Sequence, residues 1–321
     1  MAALTFILGC TGSGKGSLGR ELATRYGGEI LSIDSMKIYR RMDIGTAKPS
    51  AEAQALVPHH GIDLVEPWEE FSVASFVEHA ETCVRDMEAR ARPIFCVGGT
   101  ALYIKSLTEG LFEGPGADPA IRTRLRGEAE SLGNAALHAR LMTVDPSAAG
   151  RIHPNDLRRL VRALEVHELT GRPITELQTQ WDRDRTRHDC TFIGLRRELT
   201  DQNHRTNSRV RRMIAQGLME EARNLFDSPC RLSDTARKAV GYAELFEHFH
   251  GVVSLEEAIE NIKINTRQFA KAQRTWFKRF RQVHWIELQP DSTVEHVADV
   301  CGQQWGHQWS MSPRSQTGES I

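Results

Sequence analysis

Short apolar runs alternate with helical patterns along the first third of the chain. Residues 4–8 (LTFIL), 29–33 (EILSI) and 93–97 (PIFCV) have the length and composition of buried strands. Between them, residues 17–26 and 72–91 repeat apolar positions at helical spacing. The second of these does so at Val73, Phe76, Val77, Ala80, Val84 and Met87. A further helix is predicted over 101–109. Strands alternating with helices predict a parallel sheet covered on both faces. From 119 to about 180 the period is helical throughout, which predicts a helical insertion. Strand pattern returns at 191–195 (TFIGL). It is followed by helical stretches over about 202–226, 236–249 and 255–281 and by a short closing strand, 284–288. Beyond about 309 the tail SMSPRSQTGESI is polar and is predicted to be disordered.

The turn after the first strand changes this picture from a fold to a chemistry. Residues 9–17 read GCTGSGKGS, so a strand, a glycine-rich turn and a helix follow one another. Backbone N–H groups of Gly12 to Lys15 would point at an anion, the helix would add the positive end of its dipole, and the Lys15 ammonium would reach the outer phosphates. A strand-to-helix turn that needs glycine only for steric reasons is the plainer alternative. Gly16 stands where the common G-x-x-x-x-G-K-[ST] pattern has an Mg²⁺-binding hydroxyl, and the nearest hydroxyl is Ser17.

Other residues sharpen the reading. Asp34 ends the second strand beside this loop, where a carboxylate holds a metal-bound water, accepts a proton, or caps the next helix. In the following segment Arg40 and Lys48 read as phosphate or nucleic-acid contacts, or as a solvated loop. Gly98-Gly99-Thr100 is a tight turn in which Thr100 would offer a hydroxyl to a leaving oxygen, unless it is a turn and no more. Arg205 and Arg209 lie one turn apart and would close over a diphosphate opposite Lys15. Arg158, Arg159 and Arg162 sit on adjacent faces of one helix, whose buried side is marked by Leu160, Leu164 and Val166. Lys263, Arg267, Lys271, Arg274, Lys278 and Arg281 recur at spacings of four, four, three, four and three, one helical stripe with no acid inside it. Ile262, Phe269, Trp276 and Phe280 fall mainly on the other side. Like charges at this spacing cost about 0.2–0.5 kcal/mol per pair, so the stripe points to an anionic partner such as a nucleic-acid backbone, or else to a cationic solvated face.

Composition sets bounds on these readings. Hydrophobic residues make up 40% and charged residues 26% of 321, and the formal net charge is -1, so a nucleic acid would have to be met by a local patch. The six cysteines are scattered without a C-x-x-C pair, which predicts reduced thiols and no structural zinc. The first apolar run is too short for a signal peptide or a membrane span, so a cytoplasmic protein without membrane contact is expected.

Taken in order, GCTGSGK, DSMKIYRRMDIGTAKP, PHHGIDLVEP, FSVASF, VGGTALYI, RIHPNDLRRLVRALEV, KAVGYAEL and TRQFAKAQRTWF resemble the bacterial tRNA dimethylallyltransferases, from about Leu4 to Trp285. The resemblance implies transfer of a dimethylallyl group from dimethylallyl diphosphate to N6 of the adenosine immediately 3′ of the tRNA anticodon, with Mg²⁺. It implies a diphosphate site of Gly9, Thr11, Gly12, Ser13, Gly14, Lys15, Gly16 and Arg209, Asp34 as general base, and Thr100 near the bridging oxygen. It places tRNA contacts at Asp34, Ser35, Met36, Lys37, Thr100, Arg122, Arg158, Arg159, Leu160, Val161, Arg162, Lys238, Gly241, Lys271, Arg274 and Lys278. Gly16 leaves the Mg²⁺ ligand open between Ser17, Ser13 and a water held by Asp34. Arg158 replaces a common Gln, and Ala272 a common basic residue. The architecture implied is α/β, a P-loop NTPase-like parallel sheet flanked by helices with a helical insertion domain. Its boundaries are a core over 1–112 and 191–306, the insertion that grips the anticodon stem-loop over 113–190, and a tail over 307–321. A monomer is expected. A small-molecule phosphotransferase, a prenyltransferase acting on free AMP and a non-catalytic RNA-binding protein are the competing readings.

Overall fold

The structure is a computed structural model that describes residues 2–111, 114–178 and 186–310. Its first elements are β1 (Ala3–Gly9), α1 (Lys15–Tyr26), β2 (Glu29–Ile33), α2 (Ala51–Leu56), β3 (His59–His60), α3 (Val73–Ala89), β4 (Ile94–Gly98) and α4 (Ala101–Glu109). Helices follow: α5 (Pro119–Leu132), α6 (Asn134–Val144), α7 (Pro146–Ala149), α8 (Leu157–Thr170) and α9 (Ile174–Leu177). The chain continues through β5 (Asp189–Arg197), α10 (Leu199–Ala215), α11 (Leu218–Phe226), α12 (Asp234–Arg237), α13 (Tyr242–Phe249), α14 (Leu255–Phe277), β6 (Val283–Leu288) and α15 (Val294–Trp309).

The six strands form one parallel sheet in the order β3-β2-β4-β1-β5-β6. β1 is central, with Phe6 opposite Cys96 on one side and Phe192 on the other. Its side chains alternate between two cores, as a strand's two-residue period requires. Leu4, Phe6 and Leu8 join Phe76, Val84 and Ile104 on one face, while Ile7 joins Leu22, Phe95 and Trp305 on the other. A third cluster gathers α10 to α14 around Tyr242, Leu245 and Ile262, and it includes Ile38, Tyr39 and Met42. The segment after Asp34, read from its charges as a contact surface or a solvated loop, thus buries three of its own residues.

Where boundaries differ from the pattern, the causes are local. The stretch read as one helix over 202–226 breaks at Gly217, whose φ of 100° is left-handed. The stretch over 236–249 splits at Gly241, and α14 stops at Phe277, short of Arg281. Helix α15 has no counterpart in the sequence reading, and it takes in residues 307–309 that were assigned to the tail; residues 311–321 lie outside the described residues. Glycines 302 and 306 obscure its period. A Cβ at either would come within 2.4 and 2.9 Å of the Tyr26 hydroxyl. A helical glycine costs about 1 kcal/mol against alanine. Burying Val297, Trp305 and Trp309 returns about 1.5–3 kcal/mol each. Packing therefore wins, and the Trp309 indole also donates to Thr5 Oγ1 at 2.8 Å.

The chain divides into two compact units, Met1–Thr108 with Thr186–Ile321, and Glu109–Arg185. In the first, the two arms flanking the second unit are joined: the Arg187 N–H donates to the Thr108 carbonyl at 2.7 Å. Strand β5 begins at Asp189, so 189 and 190 belong with the sheet and not with the insertion. The second unit is helical, with a core that includes Leu125, Leu141, Leu160, Leu164 and Val166. Inside it Glu165 is fully buried. It accepts from Arg122 at 2.8 and 3.0 Å, from Arg162 at 2.7 Å and from the Asp118 N–H at 2.8 Å. Burial alone would raise its pKa, but these donors hold the carboxyl below its usual range. Glu165→Ala is expected to destabilise this unit by about 3 kcal/mol, the lower end for a broken buried pair, because both arginines keep partial access to water. Urea unfolding followed by circular dichroism measures it. A loss well under 1 kcal/mol would refute the structural role.

Candidate active site

The loop between β1 and α1 is shaped by glycines and held from behind. Gly12 and Gly14 take left-handed φ values of 79° and 102°, and Gly14 caps α1, so the first turn of that helix opens into a crevice above the sheet. Thr11 is clamped on both sides of its peptide. Its N–H donates to Gln273 Oε1 at 2.8 Å, and its carbonyl accepts from the Gln202 amide. Gln273 Nε2 also donates to the Gly99 carbonyl at 3.1 Å, which ties the loop to the turn after β4. Neither glutamine stands out in the sequence by type. The available signal was their spacing: Gln273 falls on the buried face of α14 with Ala270 and Phe277, and Gln202 on that of α10 with Thr206 and Val210. Among the described residues, two buried hydroxyls at the loop, Ser13 Oγ and Thr206 Oγ1, have no partner.

The crevice has a volume of about 1100 Å³, and the loop, Arg20, Asp34, Lys37, Arg205, Arg209 and Phe269 all line it. Lys15 Nζ donates to the Cys10 carbonyl at 3.3 Å. Burial, with Arg209 and Lys37 adding to it and Asp34 opposing, lowers the Lys15 pKa to about 8. Burial likewise lowers Lys37 and Arg209, and Asp34 opposes both shifts. The Asp34 carboxylate thus stands among several crowded cations, an arrangement that favours a polyanion. Asp34 Oδ1 accepts the Met36 N–H at 2.9 Å. Thr100 is turned toward Ser35: its Oγ1 accepts the Ser35 N–H at 3.0 Å, and its hydroxyl donates to Ser35 Oγ at 3.4 Å. It links the end of β4 to the end of β2, while Gly98 and Asp34 line the crevice. Arg205 Nε reaches the Gly12 carbonyl at 3.4 Å, and Arg197 Nε the Ser13 carbonyl at 3.3 Å.

Several residues expected at an interface are committed elsewhere. The Lys48 side chain is 3% exposed; it pairs with Asp43 and with Asp63 at 2.6 Å and donates to the Tyr39 carbonyl. Arg40 donates to the Asp63 carbonyl at 2.9 Å. Arg122 and Arg162 hold Glu165, and the side chains of Leu160 and Val161 are buried in the second unit's core, so none of these four is a free contact. Arg158 is exposed, and Arg159 is exposed and paired with Asp156 at 3.2 Å. Gly241 is a buried helix cap with φ 101°, whereas Lys238 is exposed.

The cationic stripe is also more partnered than its spacing indicates. Lys263 pairs with Glu260, one turn before the acid-free stretch begins. Arg267 donates to Asn207 at 2.7 Å, and Arg274 lies beside the Cys10 thiol. Lys278 caps α14, so Arg281 is off the helix. Lys271 and Lys278 remain exposed. Phe269, read as a burying position, is 49% exposed and lines the crevice.

Among the described residues no three His, Cys, Asp or Glu come together. Gly16 offers no side-chain oxygen, Asp34 Oδ1 accepts the Met36 N–H, and Ser17 Oγ stands 3.5 Å from the Arg20 guanidinium. A metal-ligand role for Ser17 sits poorly with a hydroxyl that faces the Arg20 cation. Among the described residues no helix is long and apolar enough to cross a membrane.

Comparison with known proteins identifies the family. Residues 37–280 match the IPP transferase family. The tRNA dimethylallyltransferase of Geobacter metallireducens is 47% identical over 284 residues, covering 88% of this chain and 92% of that protein. The corresponding enzyme of Geobacillus thermodenitrificans is 45% identical over 302 residues, covering 92% and 94%. The crystal structure of the full-length tRNA isopentenylpyrophosphate transferase from Bacillus halodurans superimposes with a TM-score of 0.70 at 37% identity, covering 96% of this chain and 98% of that one. On sequence and fold together, the chain belongs to the IPP transferase family.

Proposed function

We propose that this chain transfers a dimethylallyl group from dimethylallyl diphosphate to N6 of the adenosine immediately 3′ of the anticodon in tRNA, releasing diphosphate. The observation that carries this reading is the Asp34 carboxylate, which lines one crevice with Lys15, Lys37 and Arg209 above a phosphate-type loop. The diphosphate lies on the N–H groups of the loop and on Lys15 and Arg209. The N6 lone pair of adenine attacks the allylic carbon, the carbon–oxygen bond breaks, and the electron pair leaves with the bridging oxygen. Asp34 accepts the N6 proton. An exocyclic amine is a weak nucleophile, so the rate comes from positioning and from cations held where the leaving charge develops. The target adenine must leave its stack to enter such a crevice, and the half-exposed Phe269 ring at the crevice suits a flipped base. Mg²⁺ would enter this reading with the diphosphate and would supply countercharge to the leaving group. Exposed Arg158, Arg159, Lys238, Lys271 and Lys278 are the tRNA backbone contacts of this reading.

The test incubates the full chain with an unmodified anticodon stem-loop and labelled dimethylallyl diphosphate and weighs the RNA. Gain of one prenyl mass at the adenosine next to the anticodon is the expected result; label on AMP alone, or phosphate moved from ATP, overturns the reading. A second expected outcome concerns pH. Free Lys15 loses its proton near pH 8, whereas Lys15 on a diphosphate keeps it. Binding above pH 8 must therefore take up a proton, and affinity for pyrophosphate should fall by up to about tenfold per pH unit there. Calorimetry in two buffers of different ionisation heat reads the proton uptake. Affinity that stays flat from pH 7 to 9.5, with no uptake, would remove Lys15 from contact with the anion.

A further inference from the structure

The position after Lys15 and the position one turn further along α1 explain each other. Gly16 has no side chain, and the space beside it is open: a Cβ there would meet only Arg20 Nη1, at 3.7 Å. Arg20 lines the crevice. Among the described residues it pairs with no carboxylate, and its one side-chain partner is the Ser17 hydroxyl at 3.5 Å. Its charge is felt by Lys37 and by His59, so it belongs to the same positive cluster as the loop. An unpaired, half-buried guanidinium at the mouth of a phosphate loop costs stability unless an anion completes it. A guanidinium also presents several donors in a plane that matches two phosphate oxygens.

We infer that Arg20 is a diphosphate-binding residue, occupying with its guanidinium the place that a hydroxyl-held divalent ion fills in other phosphate loops. This inference rests on the reading of the crevice as a diphosphate site. Its chemistry follows from charge alone. A leaving diphosphate needs its growing charge neutralised, and a fixed guanidinium supplies that without a metal ligand from the protein. The chain then holds diphosphate with little dependence on added divalent ion.

The test titrates inorganic pyrophosphate into the full chain by calorimetry, once in EDTA and once in millimolar Mg²⁺. Wild type is expected to bind in EDTA, with affinity within about threefold of that in Mg²⁺. Arg20→Leu is expected to lose about 10- to 100-fold in EDTA, the range for a lost charge-assisted hydrogen bond, and to recover part of it in Mg²⁺. Arg20→Lys should retain more than Arg20→Leu. Gly16→Thr, which restores a hydroxyl in open space, should make binding more Mg²⁺-responsive. Unchanged affinity of Arg20→Leu in EDTA, at wild-type melting temperature, overturns the assignment, as does abolition of wild-type binding by EDTA. Prenyl transfer to RNA by the wild type is measured in parallel. If transfer is absent while pyrophosphate binding still depends on Arg20, the function fails and the anion site stands. If transfer occurs and binding ignores Arg20, the Arg20 assignment fails and the function stands.

Discussion

Asp34→Asn is expected to lower turnover by about 10²- to 10⁴-fold, the range that a positioned general base contributes, while pyrophosphate binding holds or tightens. The change is nearly isosteric. The amide oxygen can still accept the Met36 N–H that orients Asp34 in the wild type, so the end of β2 keeps its shape. What disappears is the carboxylate that accepts a proton as a base and that offsets Lys15, Lys37 and Arg209. Removing a negative charge from that cluster increases its attraction for diphosphate. The two effects therefore separate: catalysis falls and anion affinity does not. A purely structural Asp34 would lower both. Single-turnover transfer on RNA, paired with pyrophosphate calorimetry, reads each half. Full turnover in the variant would end the general-base assignment.

Lys15→Ala is expected to weaken pyrophosphate binding and to reduce turnover by about 10²- to 10³-fold, in keeping with loss of one preorganised charge at a site of developing negative charge. The backbone of the loop should survive, because its shape rests on the Gly12 and Gly14 conformations and on the Gln202 and Gln273 clamps at Thr11. The wild-type Lys15 bond to the Cys10 carbonyl, at 3.3 Å, is too long to be the main support. Melting temperature should accordingly hold, or rise as mutual repulsion in the cluster is relieved. Unaltered binding and turnover would displace the donor site from this loop.

Much of this arrangement was legible in the residues, and the illegible part has physical causes. Strands β1, β2, β4 and β5 are nearly continuous apolar runs because both their faces are covered, and such runs stand out against polar turns. Strand β3 is only His59–His60, paired with Ile30 and Leu31, and two polar residues have no period to read. Helix α15 was hidden by glycines that exist for the Tyr26 hydroxyl, a contact made across the fold. At the site, Lys15 announces itself by its place in the glycine-rich loop, Asp34 by its strand-end position, and Arg205 and Arg209 by their one-turn spacing. Gln202, Gln273 and Arg20 do not, because their importance lies in which partner each meets, and spacing along a helix gives a face without a partner. The same limit explains Arg122 and Arg162. As a pattern they are an arginine-rich surface; as a structure they are two sides of one buried glutamate.

The hydrogen bond between the Arg187 N–H and the Thr108 carbonyl has a consequence for how this family can vary. The sheet unit is left and re-entered at one stitched point, so to that unit everything from 109 to 185 is a closed loop, whatever its content. Closure entropy grows only with the logarithm of loop length, about 0.6 kcal/mol for each doubling. Lengthening, trimming or exchanging the helices hung from that point therefore leaves the folding of the sheet unit almost unchanged. Selection can rework the appended helices without re-solving the fold of the sheet unit, and a lineage can change one unit while inheriting the other intact.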